Sequence, residues 1–359
     1  MKTFHCVCGQ TLFFENTFCT SCSRKLGYDP VRQSLVAIEP KVDGAGTPGG
    51  IWSAVGEHTQ YRLCSNELNY QLCNWLVSHE GDDYCLACSL NQVVPTLEQG
   101  PNSDRRRMLW EHTEQAKRRL VYSLLALGLP VETKAQNPNL GLAFAFLEDR
   151  KENPNVKEDQ VFTGHYQGLI TVNLAEADHA TRIRVRQDMG ESYRTMLGHF
   201  RHESGHYYFD RLLANSPRIE SFRSLFGDER RDYKTALEEY YAKPMPSADG
   251  MISAYASSHP LEDWAECWAH YLHFTDTLET AANYGVAQGV DLYTGRPWDI
   301  EQGFEQWGRV SVMLNSLNRS MGLEDAYPFV LSPETFSKLR FVHQTIYPSQ
   351  RPTQTAASV

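Results

Sequence analysis

Eight of the nine cysteines stand before residue 89: Cys6, Cys8, Cys19, Cys22, Cys64, Cys73, Cys85 and Cys88, with only Cys267 outside. Such clustering marks a cysteine-rich module of roughly ninety residues ahead of a cysteine-poor domain. The chain opens Met1-Lys2-Thr3-Phe4-His5 with no apolar run behind the lysine, so no secretory signal is expected. A cytoplasmic location is the expectation, and there thiols stay reduced. Eight reduced thiols, with Cys19-x-x-Cys22 and Cys85-x-x-Cys88 among them, suit structural zinc better than disulfides. Cys6-x-Cys8 groups with Cys19 and Cys22, and Cys64 and Cys73 with Cys85 and Cys88, although the spacing leaves exchange of members open. Closed four-thiolate sites substitute for a core too small to fold alone.

The reading divides the chain into a zinc-ribbon module with two four-cysteine sites over 1–95, a larger domain over 100–347, and a disordered polar tail over 348–359. Val94-Pro95-Thr96 through Gly100-Pro101-Asn102 reads as the linker. The stretch Asp43 to Gly50 reads as a second loose segment, too glycine-rich for regular structure. Ser103 is the expected N-cap of a helix with apolar positions at Leu109, Ala116, Leu120 and Leu124, ended by Gly128-Leu129-Pro130. Strand-like runs follow at Leu142 to Leu147 and, after a turn at Gln167-Gly168, at Leu169 to Leu174. Helical patterns run from about Met189 to Leu213, from Pro260 to about Phe274, from Phe304 to Met321, and after Ser332-Pro333. No stretch is long and apolar enough to span a bilayer.

The chemistry sits in Gly198-His199-Phe200-Arg201-His202-Glu203-Ser204-Gly205-His206. His202 and His206, at i and i+4 on a helix, project from one face and can reach one tetrahedral zinc. Glu203 between them stands beside such a metal, placed to take a proton from an attacking water. A catalytic zinc takes a third protein ligand, and Glu262 or Glu266, i and i+4 on the later helix, supplies it. The other carboxylate then accepts from a ligating histidine and fixes its tautomer. His199, one turn before His202, is expected beside the site, packed against a tyrosine or a carboxylate. His270 and His273 read as supporting or surface groups, and Cys267 as a small buried residue.

These residues resemble the gluzincin metallopeptidases, whose third ligand is a helical glutamate after H-E-x-x-H. The catalytic domain of anthrax lethal factor has a tyrosine and then Glu-aromatic-aromatic-Ala-Glu. This chain is similar, with Tyr255 and then Glu262-Asp263-Trp264-Ala265-Glu266 at the same step (262 − 255 = 7). The resemblance implies Glu262 as ligand, Glu266 as the carboxylate behind it, and Tyr255 as the donor to the oxyanion. Asp263 departs from the pattern, and faces away from the metal if Glu262 faces it. With the early cysteines, these stretches also resemble a bacterial family of zinc-binding metallopeptidases with an amino-terminal zinc ribbon. The implied fold class is α+β: a zincin-like metallopeptidase domain, mostly helical with a small sheet, behind a small zinc-ribbon domain. The implied cofactor is Zn2+, one catalytic and two structural. In zincin folds an edge strand precedes the metal helix, and Leu169 to Leu174 is expected to be that edge, open to an extended peptide.

Charge argues against nucleic acid as a partner. Residues 1–95 hold six Lys or Arg (2, 24, 25, 32, 41, 62) against nine Asp or Glu (15, 29, 39, 43, 57, 67, 80, 82, 83), and the whole chain carries −10. Arg105-Arg106-Arg107 and Lys117-Arg118-Arg119 read as the solvated side of the first long helix. The expected partner is a protein or peptide substrate, with the ribbon serving protein recognition or autoregulation. Two other classes compete: a catalytically silent zinc-ribbon adaptor, and a DNA-linked repair protease. The complete set of His202, Glu203, His206, Glu262 and Tyr255 argues against the first; the absence of a third histidine ligand and of a basic region argues against the second.

Overall fold

The computed structural model describes residues 2–42, 48–77, 81–97, 102–150, 153, 156–157, 159–183, 195–243, 250–288 and 298–348. The expected tail lies outside the described residues beyond Pro348, as do residues 98–101 of the linker. The first cysteines occupy turns. Strands Phe4–His5 (β1) and Thr11–Leu12 (β2) pair antiparallel, and Cys6 and Cys8 lie in the loop between them, turned by Gly9 at φ +86°. An antiparallel sheet follows in sequence order: Lys25–Asp29 (β3), Ser34–Val42 (β4), Pro48–Ala54 (β5), Gln60–Leu63 (β6) and Leu76–Val77 (β7). Of the second cysteine group, Cys64 and Cys85 are the N-cap residues of the short helices Ser65–Tyr70 (α1) and Leu86–Ser89 (α2), Cys88 lies within α2, and Cys73 follows α1.

The segment 43–50 corrects one expectation. Residues 43–47 lie outside the described residues, but Pro48, Gly49 and Gly50 belong to β5, with Val42 opposite Pro48 and Ile38 opposite Ala54. Ladder partners in β4 and β6 outweigh the poor strand propensity of glycine.

A second sheet is mixed and has the order β10-β11-β9-β8, formed by Gly164–Tyr166 (β10), Leu169–Asn173 (β11), Ala143–Leu147 (β9) and Asn91–Val93 (β8). β9 runs parallel to both neighbours, and its Ala143-Phe144-Ala145-Phe146 stretch is buried throughout, as a central parallel strand must be. The expectation that Leu169 to Leu174 is the edge fails. Gln167 and Gly168, both at positive φ (47° and 82°), turn the chain back, and β10 pairs along the outer side of β11. Among the described residues β10 and β8 are therefore the edges. β8 comes from the cysteine-rich side of the linker, so the two halves share this sheet.

They also share a core. Phe14 and Tyr28 from the ribbon meet Tyr122 of the long helix Ser103–Ala126 (α3), at ring-centroid distances of 5.3 and 6.0 Å. The N-cap of α3 is Asn102 rather than Ser103. Its second basic run is not the solvated face expected: Lys117 and Arg118 are buried, because α3 lies against the second cysteine cluster. Lys117 Nζ holds Glu114 at 2.9 Å, and Arg118 NH1 donates to the Leu72 carbonyl at 2.7 Å. Only Arg119 of the three reaches outward, to Glu15.

The remaining helices are 179–183 as far as described (α4), Met196–Leu212 (α5), Ile219–Phe226 (α6), Tyr233–Ala242 (α7), Pro260–Asn283 (α8), Ile300–Ser320 (α9) and Pro333–Ile346 (α10). α5 begins at Met196, where Thr195 Oγ1 accepts from Gly198 N at 2.9 Å; the earlier residues 189–194 lie outside the described residues. α8 runs nine residues beyond Phe274 (283 − 274 = 9), because α9 and α10 pack along it and bury its later turns. No helix among the described residues is long and apolar enough to cross a membrane.

Candidate metal centres

α5 and α8 cross in close contact. A Cβ on Gly205 would meet the Ala265 Cα at 2.8 Å, so glycine is what lets the two backbones approach. Two indoles fasten the crossing: Trp264 Nε1 donates to the Gly205 carbonyl at 2.8 Å and Trp268 Nε1 to Ser204 Oγ at 3.1 Å. The histidine face of α5 is thereby set against the first turns of α8. There His259 caps the helix, its Nδ1 accepting from Leu261 N at 3.1 Å, and Pro260 stands in the first turn. Glu262 follows in that first turn, where the helix dipole favours a carboxylate.

The ligand atoms of His202, His206 and Glu262 all lie within 4.8 Å of one another. His202 Nε2 is 2.9 Å from Glu262 Oε2 and 3.2 Å from His206 Nε2; His206 Nε2 is 3.4 Å from Glu262 Oε1. Two imidazole nitrogens and a carboxylate oxygen at this spacing fit zinc. Behind them, Glu266 Oε1 meets His202 Nδ1 at 2.8 Å, which directs the other ring nitrogen toward the cluster. Burial works against charge on His202, Glu262 and Glu266, but the opposite charges around each, His206 foremost for Glu262, outweigh it. His202 is held well above the usual histidine value, Glu262 well below the usual carboxylate value, and Glu266 is drawn down to about 2.

Glu203 is half-buried on α5. Tyr255 stands in the turn Tyr255–Ser257, its ring centroid 6.0 Å from that of His202. Burial first, and then the Glu262 charge, push the Tyr255 hydroxyl well above its ordinary pKa, so it keeps its proton and can donate. His199 turns to a carboxylate: its Nδ1 is 2.8 Å from Glu176 Oε2, a close contact outside hydrogen-bond geometry. His270 is not a surface group. It is buried, with Nδ1 2.7 Å from Tyr327 Oη, and His273 packs its ring against Trp307 and Tyr327. Cys267 is fully buried, as expected.

Asp263, the departure from the lethal factor pattern, has its own partner. Its Oδ2 lies 2.6 Å from Lys338 Nζ of α10, and its Oδ1 3.7 Å from Cys267 Sγ. Two residues that spacing did not flag complete the picture. Tyr233, at the start of α7, donates its hydroxyl to Glu262 Oε1 at 2.5 Å. His259 Nε2 lies 3.2 Å from the Arg231 carbonyl while its Nδ1 caps α8. Neither has a sequence signature, since Tyr233 is 29 residues from Glu262 and lies on a different helix.

The cysteines fall into the two expected sets, each with its sulfurs within 4.8 Å: Cys6, Cys8, Cys19 and Cys22, and Cys64, Cys73, Cys85 and Cys88. Cys6 to Cys22, Cys8 to Cys19 and Cys73 to Cys85 are each 3.6 Å between sulfurs. A tetrahedral zinc with Zn–S of about 2.3 Å has sulfur–sulfur edges of about 3.8 Å, so both sets fit that ion. The first set is partly open, with Cys8 exposed; the second is buried beneath α3.

Comparison with known proteins agrees with this layout. Residues 3–99 match a family described as "zinc-ribbon domain". The chain is 40% identical over 355 residues to uncharacterized proteins of Mycobacterium bovis and of two strains of Mycobacterium tuberculosis, covering 96% of this chain and 95% of each relative. No solved structure matches it. Residues 106–345, more than half of the chain, match a second family, and with the histidine–glutamate cluster inside that span the chain belongs to it: "Putative zinc-binding metallo-peptidase".

Proposed function

We propose that the protein is a zinc peptidase of gluzincin type that hydrolyses peptide bonds in proteins or peptides. The observation that supports this best is the convergence of His202, His206 and Glu262 within 4.8 Å, with Glu203 on the same helix and Glu266 on His202 Nδ1. His202, His206 and Glu262 would hold the ion; a zinc there supplies Lewis acidity, acidifying a water and polarising the scissile carbonyl. Glu203 accepts the proton of the attacking water and delivers it to the departing amine. Tyr255 donates to the oxyanion of the tetrahedral intermediate, a contact worth roughly 10²–10³ in rate.

The strand edge beside α5 suits an extended peptide. Among the described residues one side of β10 is unpaired, and Phe162 just before the strand and Tyr166 at its end are largely exposed. Main-chain pairing along β10 would lay a substrate past the metal helix, against which His165 of β10 already packs through Tyr207. The two four-cysteine sets take the other two zinc ions, as closed structural sites.

The test begins with zinc per chain. Three ions in the wild type and two in His206→Ala, with proteolysis lost in Glu203→Gln while three ions are kept, is the expected result. Two ions in both proteins would remove the catalytic site from the reading.

A further inference from the structure

We infer that Tyr233 is a positioning residue of the metal centre, fixing the rotation of Glu262 so that one carboxylate oxygen is presented to the ion. This rests on the zinc site proposed above and adds a member to it that the H-E-x-x-H and glutamate motifs do not contain.

A glutamate carboxylate turns easily about its last side-chain torsion, so a buried one needs a partner to settle its orientation. Glu262 is fully buried. Its Oε2 faces His202 Nε2 at 2.9 Å, and its Oε1 receives the Tyr233 hydroxyl at 2.5 Å. A carboxylate oxygen accepts, so the Tyr233 hydroxyl is the donor in that contact. The residue as a whole stays 41% exposed, while its hydroxyl reaches the fully buried Glu262.

The surroundings hold that hydroxyl in place. Asp232 caps α7, its Oδ1 accepting from Thr235 N at 2.7 Å, which fixes Tyr233 as the first helical residue. The His259 ring packs edge-on against Tyr233 at 5.1 Å. His259 also joins the two helices, for its Nε2–H donates to the Arg231 carbonyl while its Nδ1 accepts from Leu261 N. One neutral tautomer satisfies both contacts, and burial favours that neutral form. The backbone two residues before Tyr233 is thus tied to the start of the helix that carries Glu262.

The arrangement divides two tyrosines between two tasks. Tyr255 places its ring beside that of His202, at a centroid distance of 6.0 Å. Tyr233 is committed to Glu262, which leaves Tyr255 to turn toward a substrate oxyanion.

The experiment compares Tyr233→Phe with Tyr255→Phe in the full-length zinc protein. Zinc affinity of the third site is read by chelator competition, and the geometry of the same site by the visible spectrum after cobalt(II) replacement. Tyr233→Phe is expected to weaken zinc at this site by roughly 10–100-fold and to shift the cobalt bands, while both four-cysteine ions and the melting temperature stay as in the wild type. Tyr255→Phe is expected to leave affinity and spectrum unchanged and to lose turnover. Wild-type affinity and spectrum in Tyr233→Phe would overturn the inference while leaving the peptidase reading intact. A wild-type chain that holds only its two cysteine-bound ions would overturn both.

Discussion

Trp264 donates its indole N–H to the carbonyl of Gly205 at 2.8 Å, so a residue from within the glutamate motif clasps one from within the histidine motif. The contact couples the packing of α5 on α8 directly to the spacing of the candidate ligands. Each motif supplies both its chemistry and the means of holding the other in register.

Gly205→Ala tests that coupling. The added methyl would stand 2.8 Å from the Ala265 Cα and 3.1 Å from the Trp268 Cβ, so the helices must separate. A loss of about 1–3 kcal/mol in stability is expected, together with weaker zinc binding at the histidine site. Denaturant melts and zinc titration check it, and a variant as stable and as zinc-replete as the wild type would contradict the close approach.

The Lys338–Asp263 pair gives a second expectation. Both side chains are buried and 2.6 Å apart. Lys338→Met leaves the carboxylate alone in the core and should cost about 3–5 kcal/mol, whereas adding Asp263→Leu should restore much of the loss. If the double variant melts no higher than the single one, the pair is not what the core depends on.

Acid sensitivity has a defined sign. Burial holds His270 and His343 down at about 4, against 6.5 for an ordinary histidine. The unfolded chain therefore binds protons that the folded one refuses, and stability falls as pH drops from about 6.5 toward about 4. His343 Nδ1 meets the Tyr271 hydroxyl at 2.8 Å. His343→Phe should flatten the pH dependence of the melting temperature across that window, while an unchanged slope would assign the effect to other groups.

The second cysteine cluster should stabilise more than the first. Arg118 is buried on α3, where the charges of Cys73, Glu114, Cys88 and Cys85 outweigh the burial that opposes its own. Lys117 beside it lies over the Phe144 and Phe146 rings of β9 at 5.8 and 5.6 Å, and Phe144 meets Phe200 of α5 at 5.6 Å. Cys85→Ser should therefore lower one shared unfolding transition by an amount on the order of several kcal/mol. Two separate transitions, with the later one unmoved, would show that the halves melt independently.

The sequence announced those parts of the site that obey helical spacing. His202 and His206 declare themselves because i and i+4 share a face, and Glu262 and Glu266 do so for the same reason; the structure brings His202, His206 and Glu262 into one cluster and sets Glu266 behind His202. Tyr233, His259 and the partner of Asp263 were invisible, since their contacts span 28 to 75 residues and depend on how α7, α8 and α10 pack. Lys117 and Arg118 were misleading for the opposite reason. A run of cations on a helix looks solvated until the thiol cluster that needs them is folded against it. The edge strand was placed one strand too far in, because a three-residue strand such as β10 leaves almost no pattern to read.

The parallel pairing of β8 with β9 has an evolutionary corollary. A gene rearrangement that cut the chain at its proline-bearing linker would carry β8 away with the ribbon. It would leave the recipient domain with β9 bare along one side, a row of unpaired amides and carbonyls ready to stick to other chains. Separating the two modules would therefore expose an edge that the intact chain keeps covered.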